Sequence, residues 1–196
     1  PGAEMLRYGW RQPNILSLGQ GEGCAPTPDF INESAYAALR DGKTHYGPVL
    51  GQLQLREAIG QYYQDIYGAD IQPNRIFITG SGTTAMHLAL TSILEAGDDV
   101  LAITPIWKNL LGAVEVAQAR TIQVPLDYSK ETGWNLDLDK LFDACTPKTK
   151  AILIVTPSNP TGWTMHYKEI DRLLAFARER GLWIVSDEVY GRTLYE

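Results

Sequence analysis

Cysteine is nearly absent from this chain: Cys24 and Cys145 are the two it has in 196 residues. Two thiols so far apart make neither a disulfide framework nor a zinc site, which fits a reducing, cytoplasmic compartment. Histidine is almost as scarce. His45, His87 and His166 each stand away from any nucleophile or metal-ligating neighbour and read as core or surface residues, so no metal site is expected. No apolar run approaches membrane-spanning length, and residues 1–20 lack the basic-then-apolar layout of a signal peptide. Basic charge is in deficit: 17 Lys and Arg against 23 Asp and Glu leave a net charge of −6, which argues against nucleic acid or an anionic membrane as partner. Low-complexity tracts and internal repeats are missing too. What is present is an ordinary soluble composition, 44% hydrophobic and 20% charged, long enough for one domain or one and a part.

Residues 1–28 are punctuated by Gly19, Gly21, Gly23, Pro26 and Pro28 and read as an extended arm with loops. A helix is expected from Thr27, as cap, to about Arg40, and a second over 52–67 with Gly68 as its C-cap. Strands and helices then alternate. Strands are expected at 75–79, 100–104, 120–124, 150–156 and 182–187, with helices at 83–95, 107–118, 137–144 and 166–179. Five strands separated by helices imply βαβ units. The expected fold is therefore α/β: a mainly parallel sheet with helices on both faces, a three-layer α/β/α arrangement, preceded by an N-terminal arm. Strand order is not legible.

The last strand organises the rest. Leu182-Trp183-Ile184-Val185 is a short apolar run of the kind buried on both faces of a parallel sheet, and it ends abruptly at Asp187, with Tyr190 three residues on. In open α/β sheets ligands sit beyond the carboxyl ends of the strands, so Asp187 stands where a ligand-facing acid belongs. The competing reading is that Asp187 caps a following turn. Three other strand ends carry comparable residues. Thr79-Gly80-Ser81-Gly82-Thr83-Thr84-Ala85 joins a strand to a helix, where small residues and unpaired N–H groups suit a phosphate. The same spacing fits a dinucleotide fingerprint, but the next strand ends Ile103-Thr104-Pro105, without the acid that would hold a ribose. A purely structural glycine turn is the other alternative. Trp107 follows that next strand, as a stacking platform or as core packing. In Thr156-Pro157-Ser158-Asn159-Pro160-Thr161-Gly162 two prolines stiffen a loop, with a cis bond before Pro160 as one option, and present the Asn159 amide. A phosphate cradle, a flat aromatic, an amide, a carboxylate and a phenol on one sheet edge match a phosphorylated heteroaromatic coenzyme, with pyridoxal phosphate the obvious candidate.

Three segments carry a resemblance to a known family: Ser158-Asn159-Pro160-Thr161-Gly162, Ser186-Asp187-Glu188-Val189-Tyr190, and the run from Tyr46 to Ile59 that contains Tyr46-Gly47-Pro48-Val49-Leu50-Gly51 and Leu55-Arg56-Glu57-Ala58-Ile59. In combination they resemble the fold-type I, class I/II pyridoxal-phosphate-dependent aminotransferases, over nearly all of this chain but only the first half or so of a family member. The resemblance implies that Asp187 pairs with the pyridine nitrogen, that Asn159 and Tyr190 bond the ring hydroxyl, that Trp107 stacks on the ring, and that Ser81, Gly82 and Thr83 hold the phosphate. It implies that Tyr46 reaches the phosphate of a neighbouring subunit in a homodimer, and that the Gly19-Gln20-Gly21 loop lies near the substrate carboxylate, with Gly21, Trp107 and Asn159 toward substrate. Residues 1–45 would be the arm and a small-domain segment, and 46–196 the first part of the coenzyme-binding large domain. The family's Schiff-base lysine and its carboxylate-gripping arginine lie downstream of the Asp-Glu-x-Tyr segment, beyond Glu196. The chain as given is thus expected to be an inactive portion of an enzyme acting on an amino acid and a 2-oxo acid. A lyase, decarboxylase or synthase on the same scaffold, a non-catalytic effector domain, and an inert half-domain serving only assembly remain alternatives.

Overall fold

The computed structural model describes residues 2–12, 14–16, 21, 23 and 25–193, and the chain divides into two compact units, residues 1–47 and 48–196. In the first, α1 (Gly2–Trp10) is a helix where an extended arm is expected. Ala3, Glu4, Met5, Leu6 and Arg7 are good helix formers, and the glycines and prolines that suggested an arm come later in the sequence. The second helix, α2 (Asp29–Arg40), starts one residue later than expected. Pro28 holds extended dihedrals (φ −54°, ψ 142°) and its carbonyl accepts from Ile31 N, so it takes the cap position, while the Thr27 carbonyl accepts from Asn32 Nδ2.

The second unit opens with α3 (Leu53–Tyr67), closed by Gly68 in the left-handed conformation at φ 64°, a geometry that favours glycine. Then follow α4 (Gly82–Ile93), β1 (Asp99–Thr104), α5 (Lys108–Val116), β2 (Arg120–Pro125), β3 (Asp127–Ser129), β4 (Gly133–Asn135), α6 (Leu138–Asp143), β5 (Thr149–Val155), α7 (Tyr167–Arg180) and β6 (Trp183–Asp187). The main sheet runs β2-β1-β5-β6, every pair parallel, so ladder partners bring Asp99 beside Arg120 at one end and Val155 beside Asp187 at the other.

Alternation along the central strands shows why this is a three-layer α/β/α fold. Val100, Ala102, Ala151, Leu153 and Val155 point to one face and pack with Met86 and Leu90 of α4 and Leu110, Ala113 and Val114 of α5. Leu101, Ile103, Ile152 and Ile154 point to the other face and meet Leu138 and Leu141 of α6 and Leu173 of α7. Each fully buried leucine contributes roughly 2 kcal/mol of apolar transfer. Both faces of β1 and β5 are thereby closed, and the strand ends are left to present the polar residues.

Three expectations need correction. Residues 75–79 form no strand: Pro73–Arg75 is a 3₁₀ turn, and the extended run after it has no ladder among the described residues, Ile78 N donating instead to the Leu50 carbonyl, so the main sheet has four described strands rather than the expected five. The last strand is not buried on both faces. Among the described residues β5 is its single ladder partner, and at this edge Trp183 is 60% exposed. Finally, the antiparallel β3–β4 hairpin went unread. Its turn is built by Ser129 and Thr132 hydroxyls and by Gly133 at φ 71°, with Tyr128 against Trp134 across it. Among the described residues no helix is long and apolar enough to cross a membrane.

Candidate active site

Beyond the carboxyl ends of β5 and β6 lies a hollow of about 340 Å³, lined by Gly82, Thr83, Trp107, Val155, Asn159, Asp187, Val189 and Tyr190. That is within the size range of small-molecule and cofactor sites. Four chain segments meet there, each held by its own local device.

The first is the start of α4. Ser81, in extended conformation, caps the helix: its Oγ accepts from Thr84 N at 3.1 Å, and its carbonyl accepts from Ala85 N. The first four N–H groups of a helix have no acceptor inside it, so beside this cap the amides of Gly82 and Thr83, two of the lining residues, have no intrahelical acceptor. Ser81 itself is not among the lining residues, its hydroxyl lying 3.0 Å from Thr84 Oγ1. The second segment follows β1, where Trp107 stands at the N-cap position of α5, 38% exposed, with the indole bordering the hollow.

The third is the loop after β5. The peptide bonds before Pro157 and Pro160 are cis, as is the bond before Pro105. Ser158 N donates to the Trp163 carbonyl, Gly162 N to the Ser158 carbonyl, and Met165 N to Thr156 Oγ1, with Trp163 and Met165 sunk in the core below. Asn159 thus projects from a braced turn. The fourth is the end of β6. Asp187 Oδ1 accepts from Val189 N at 3.1 Å while its carbonyl accepts from Thr156 N. One Asp187 oxygen thus builds the turn, and the residue also lines the hollow. Among the described residues Oδ2 has no protein donor. Glu188 points elsewhere, accepting from Ser186 Oγ at 3.0 Å. Partial burial, then the Glu188 charge, raises the Tyr63 phenol on α3 above its ordinary pKa.

Of the residues singled out from sequence, Gly82, Thr83, Trp107, Asn159, Asp187 and Tyr190 come together. Asn159 and Tyr190 touch, Nδ2 donating to Oη at 3.3 Å. Tyr46 and Gly21 belong to the other unit, both exposed, and Gly19 and Gln20 lie outside the described residues. Val155 and Val189 were missed; each stands beside a singled-out residue, Val155 as the last residue of its strand and Val189 inside the Ser-Asp-Glu-Val-Tyr segment. Among the described residues no lysine lines the hollow. Among the described residues no three His, Cys, Asp or Glu are grouped to hold a metal ion.

At the opposite end of the sheet Asp99, 1% exposed, accepts from Arg120 Nε and Nη2 at 2.7 Å each, and from Thr146 Oγ1. The Arg120 guanidinium holds the Asp99 carboxyl below its ordinary range and is itself raised in return. This acid, at the wrong end of β1 for a ribose, is a structural clamp.

The sequence model of the family described as "Aminotransferase class I and II" matches residues 13–196. Among relatives, the chain is 35% identical over 182 residues to the probable aspartate/prephenate aminotransferase of Aquifex aeolicus, covering 93% of this chain and 46% of that protein. It is 35% identical to the aspartate aminotransferase of Pyrococcus horikoshii, covering 98% of this chain and 49% of that one. Among solved structures, the Thermus thermophilus aspartate aminotransferase with maleate superposes with a TM-score of 0.89 at 32% identity, over all of this chain and 50% of that one. The chain spans about half the length of the curated relatives it matches. It belongs to the class I and II aminotransferases, whose members depend on pyridoxal phosphate.

Proposed function

We propose that this chain supplies the coenzyme-binding part of an aminotransferase that moves an amino group between an amino acid and a 2-oxo acid. The observation that carries the reading is the hollow lined together by Asp187, the Asn159–Tyr190 pair, Trp107 and the first residues of α4, Gly82 and Thr83. The donor set fits pyridoxal phosphate group by group. The N–H groups of Gly82 and Thr83, at the positive end of α4, suit a phosphate, with Ser81 as the cap that frees them. Trp107 offers a face to a flat ring. The unengaged Asp187 oxygen can hold a proton on a ring nitrogen, and Asn159 and Tyr190 can share a hydrogen bond with a ring oxygen.

When bound, the coenzyme supplies an electron sink for the bond-making at the amino acid's α-carbon. The chain's own contribution is to orient and to keep charge. With the coenzyme bound, Asp187 would keep the ring nitrogen protonated, Asn159 and Tyr190 would orient the ring, and Trp107 would shield it from water. Gly21, Trp107 and Asn159 border the substrate in this reading, and Tyr46 serves the phosphate of a neighbouring subunit in a homodimer. The arm and small-domain segment would comprise residues 1–45, and the first part of the large domain residues 46–196. We place the protein in the cytoplasm. An absorbance titration with pyridoxal phosphate tests the reading: saturable binding to the parent and loss of turnover in Asp187→Ala of the complete enzyme are expected. An enzyme that keeps its turnover without this carboxylate would defeat the assignment.

A further inference from the structure

We infer that Arg56, on α3 and not one of the residues lining the hollow, is a positioning residue for the phosphate cradle. The inference rests on the cofactor reading above and adds a residue that touches neither the hollow nor the ring. Its guanidinium fork spans two separate turns: Nε donates to the Gly51 carbonyl at 3.1 Å and Nη1 to the Pro73 carbonyl at 2.7 Å. The Pro73 turn leads directly into the extended run 76–79, and the turn at 48–51 bonds to it. The turn at 48–51 is closed by Gly51 N on the Pro48 carbonyl, and its Leu50 carbonyl accepts Ile78 N at 3.0 Å. Gly51 has φ 94°, and a Cβ there would lie 2.4 Å from Ile78 Cγ1, so nothing larger than glycine allows this approach.

Among the described residues the run so held has no ladder partner, yet it leads directly into the start of α4. Thr79 Oγ1 donates to the Ser81 carbonyl at 2.8 Å, Ser81 Oγ caps Thr84 N, and the amides of Gly82 and Thr83 follow. Arg56 therefore ties together the two turns that border this run, while the Leu50 carbonyl supplies the backbone bond to Ile78. A guanidinium reaches two carbonyls in a fixed fork, and a lysine cannot. Losing it frees the run and blurs the aim of the two amides, a displacement to which oriented anion binding is sensitive.

The test compares dissociation constants of pyridoxine 5′-phosphate and of pyridoxine for the complete apoprotein. Neither ligand carries an aldehyde, so their ratio isolates the phosphate's contribution. In Arg56→Gln the affinity for the phosphorylated ligand should fall about tenfold, with pyridoxine changed less than about twofold. Arg56→Lys should recover only part of the ratio. Gly51→Ala, which disturbs the same turn from the other side, should lower the ratio as Arg56→Gln does. Arg120→Gln, which loosens the far end of the sheet, should lower thermal stability and leave the ratio unchanged. Equal ratios in parent and Arg56→Gln would overturn the positioning role while leaving the cofactor reading intact. A parent that binds neither ligand would overturn both.

Discussion

Asn159 and Tyr190, 31 residues apart, meet across the mouth of the hollow, the amide Nδ2 donating to the phenol Oη at 3.3 Å. One arises from a braced loop after β5, the other from the turn after β6, and the parallel pairing of those strands aligns them. Because they share one hydrogen bond, their effects on coenzyme affinity should not add. Tyr190→Phe and Asn159→Ala should each weaken binding several-fold, and the double variant should fall short of the product by about 0.5–1.5 kcal/mol. A double-mutant cycle on coenzyme dissociation constants measures this, and strict additivity would mean that the two do not act together.

Asp187 engages one carboxylate oxygen in its own turn, and among the described residues the other has no protein donor. Oδ1 holds Val189 N, so Asp187→Asn, which retains a carbonyl oxygen, should keep the turn and the fold. The amide has no negative charge with which to keep a ring nitrogen protonated. Turnover in the complete enzyme should fall by about a hundredfold or more, with an unaltered melting temperature. Steady-state kinetics beside a thermal melt separate the two effects.

Trp107 borders the hollow while remaining 38% exposed, so its side chain is not needed to fill the core. Trp107→Ala should cost coenzyme binding about 0.5–1.5 kcal/mol with little loss of stability, and Trp107→Phe should restore most of it. Quenching of indole emission on titration with pyridoxal phosphate, lost in Trp107→Phe, is the direct readout.

Much of this site was legible in the sequence because its residues sit at points where the backbone changes state. Asp187 ends an apolar run, Trp107 follows one, and Gly82 and Thr83 open a helix behind a serine cap. The alternation of strand and helix likewise announced a parallel sheet covered on both faces. What escaped was set by partners distant in sequence. Residues 75–79 have strand-like composition, but Ile78 N bonds the Leu50 carbonyl of a turn instead of a ladder partner. Trp183 looks like a core residue until the strand order puts it at an edge. Arg120 and Asp99 are adjacent only because β1 and β2 pair in that register.

That last pair makes the fold acid-sensitive in a defined way. The folded Asp99 carboxyl titrates below its ordinary value of 3.8 because Arg120 and Thr146 hydrogen-bond its charged form. A depressed acid pKa stabilises the folded state fully above the unfolded value, and the benefit disappears as pH falls through the folded one. Arg120→Gln should therefore lower the melting temperature at pH 7 by a few degrees, and the gap to the parent should close below pH 3.8. Melting curves from pH 7 downward would show a constant gap if the ion pair contributed nothing.

The central claim, that four segments converge on one coenzyme, is tested most directly by a crystal structure of the complete protein with pyridoxal phosphate. The ring should lie against Trp107 with its nitrogen on Asp187 and its phosphate on the amides of Gly82 and Thr83. A coenzyme held elsewhere, or with its phosphate away from the start of α4, would contradict it.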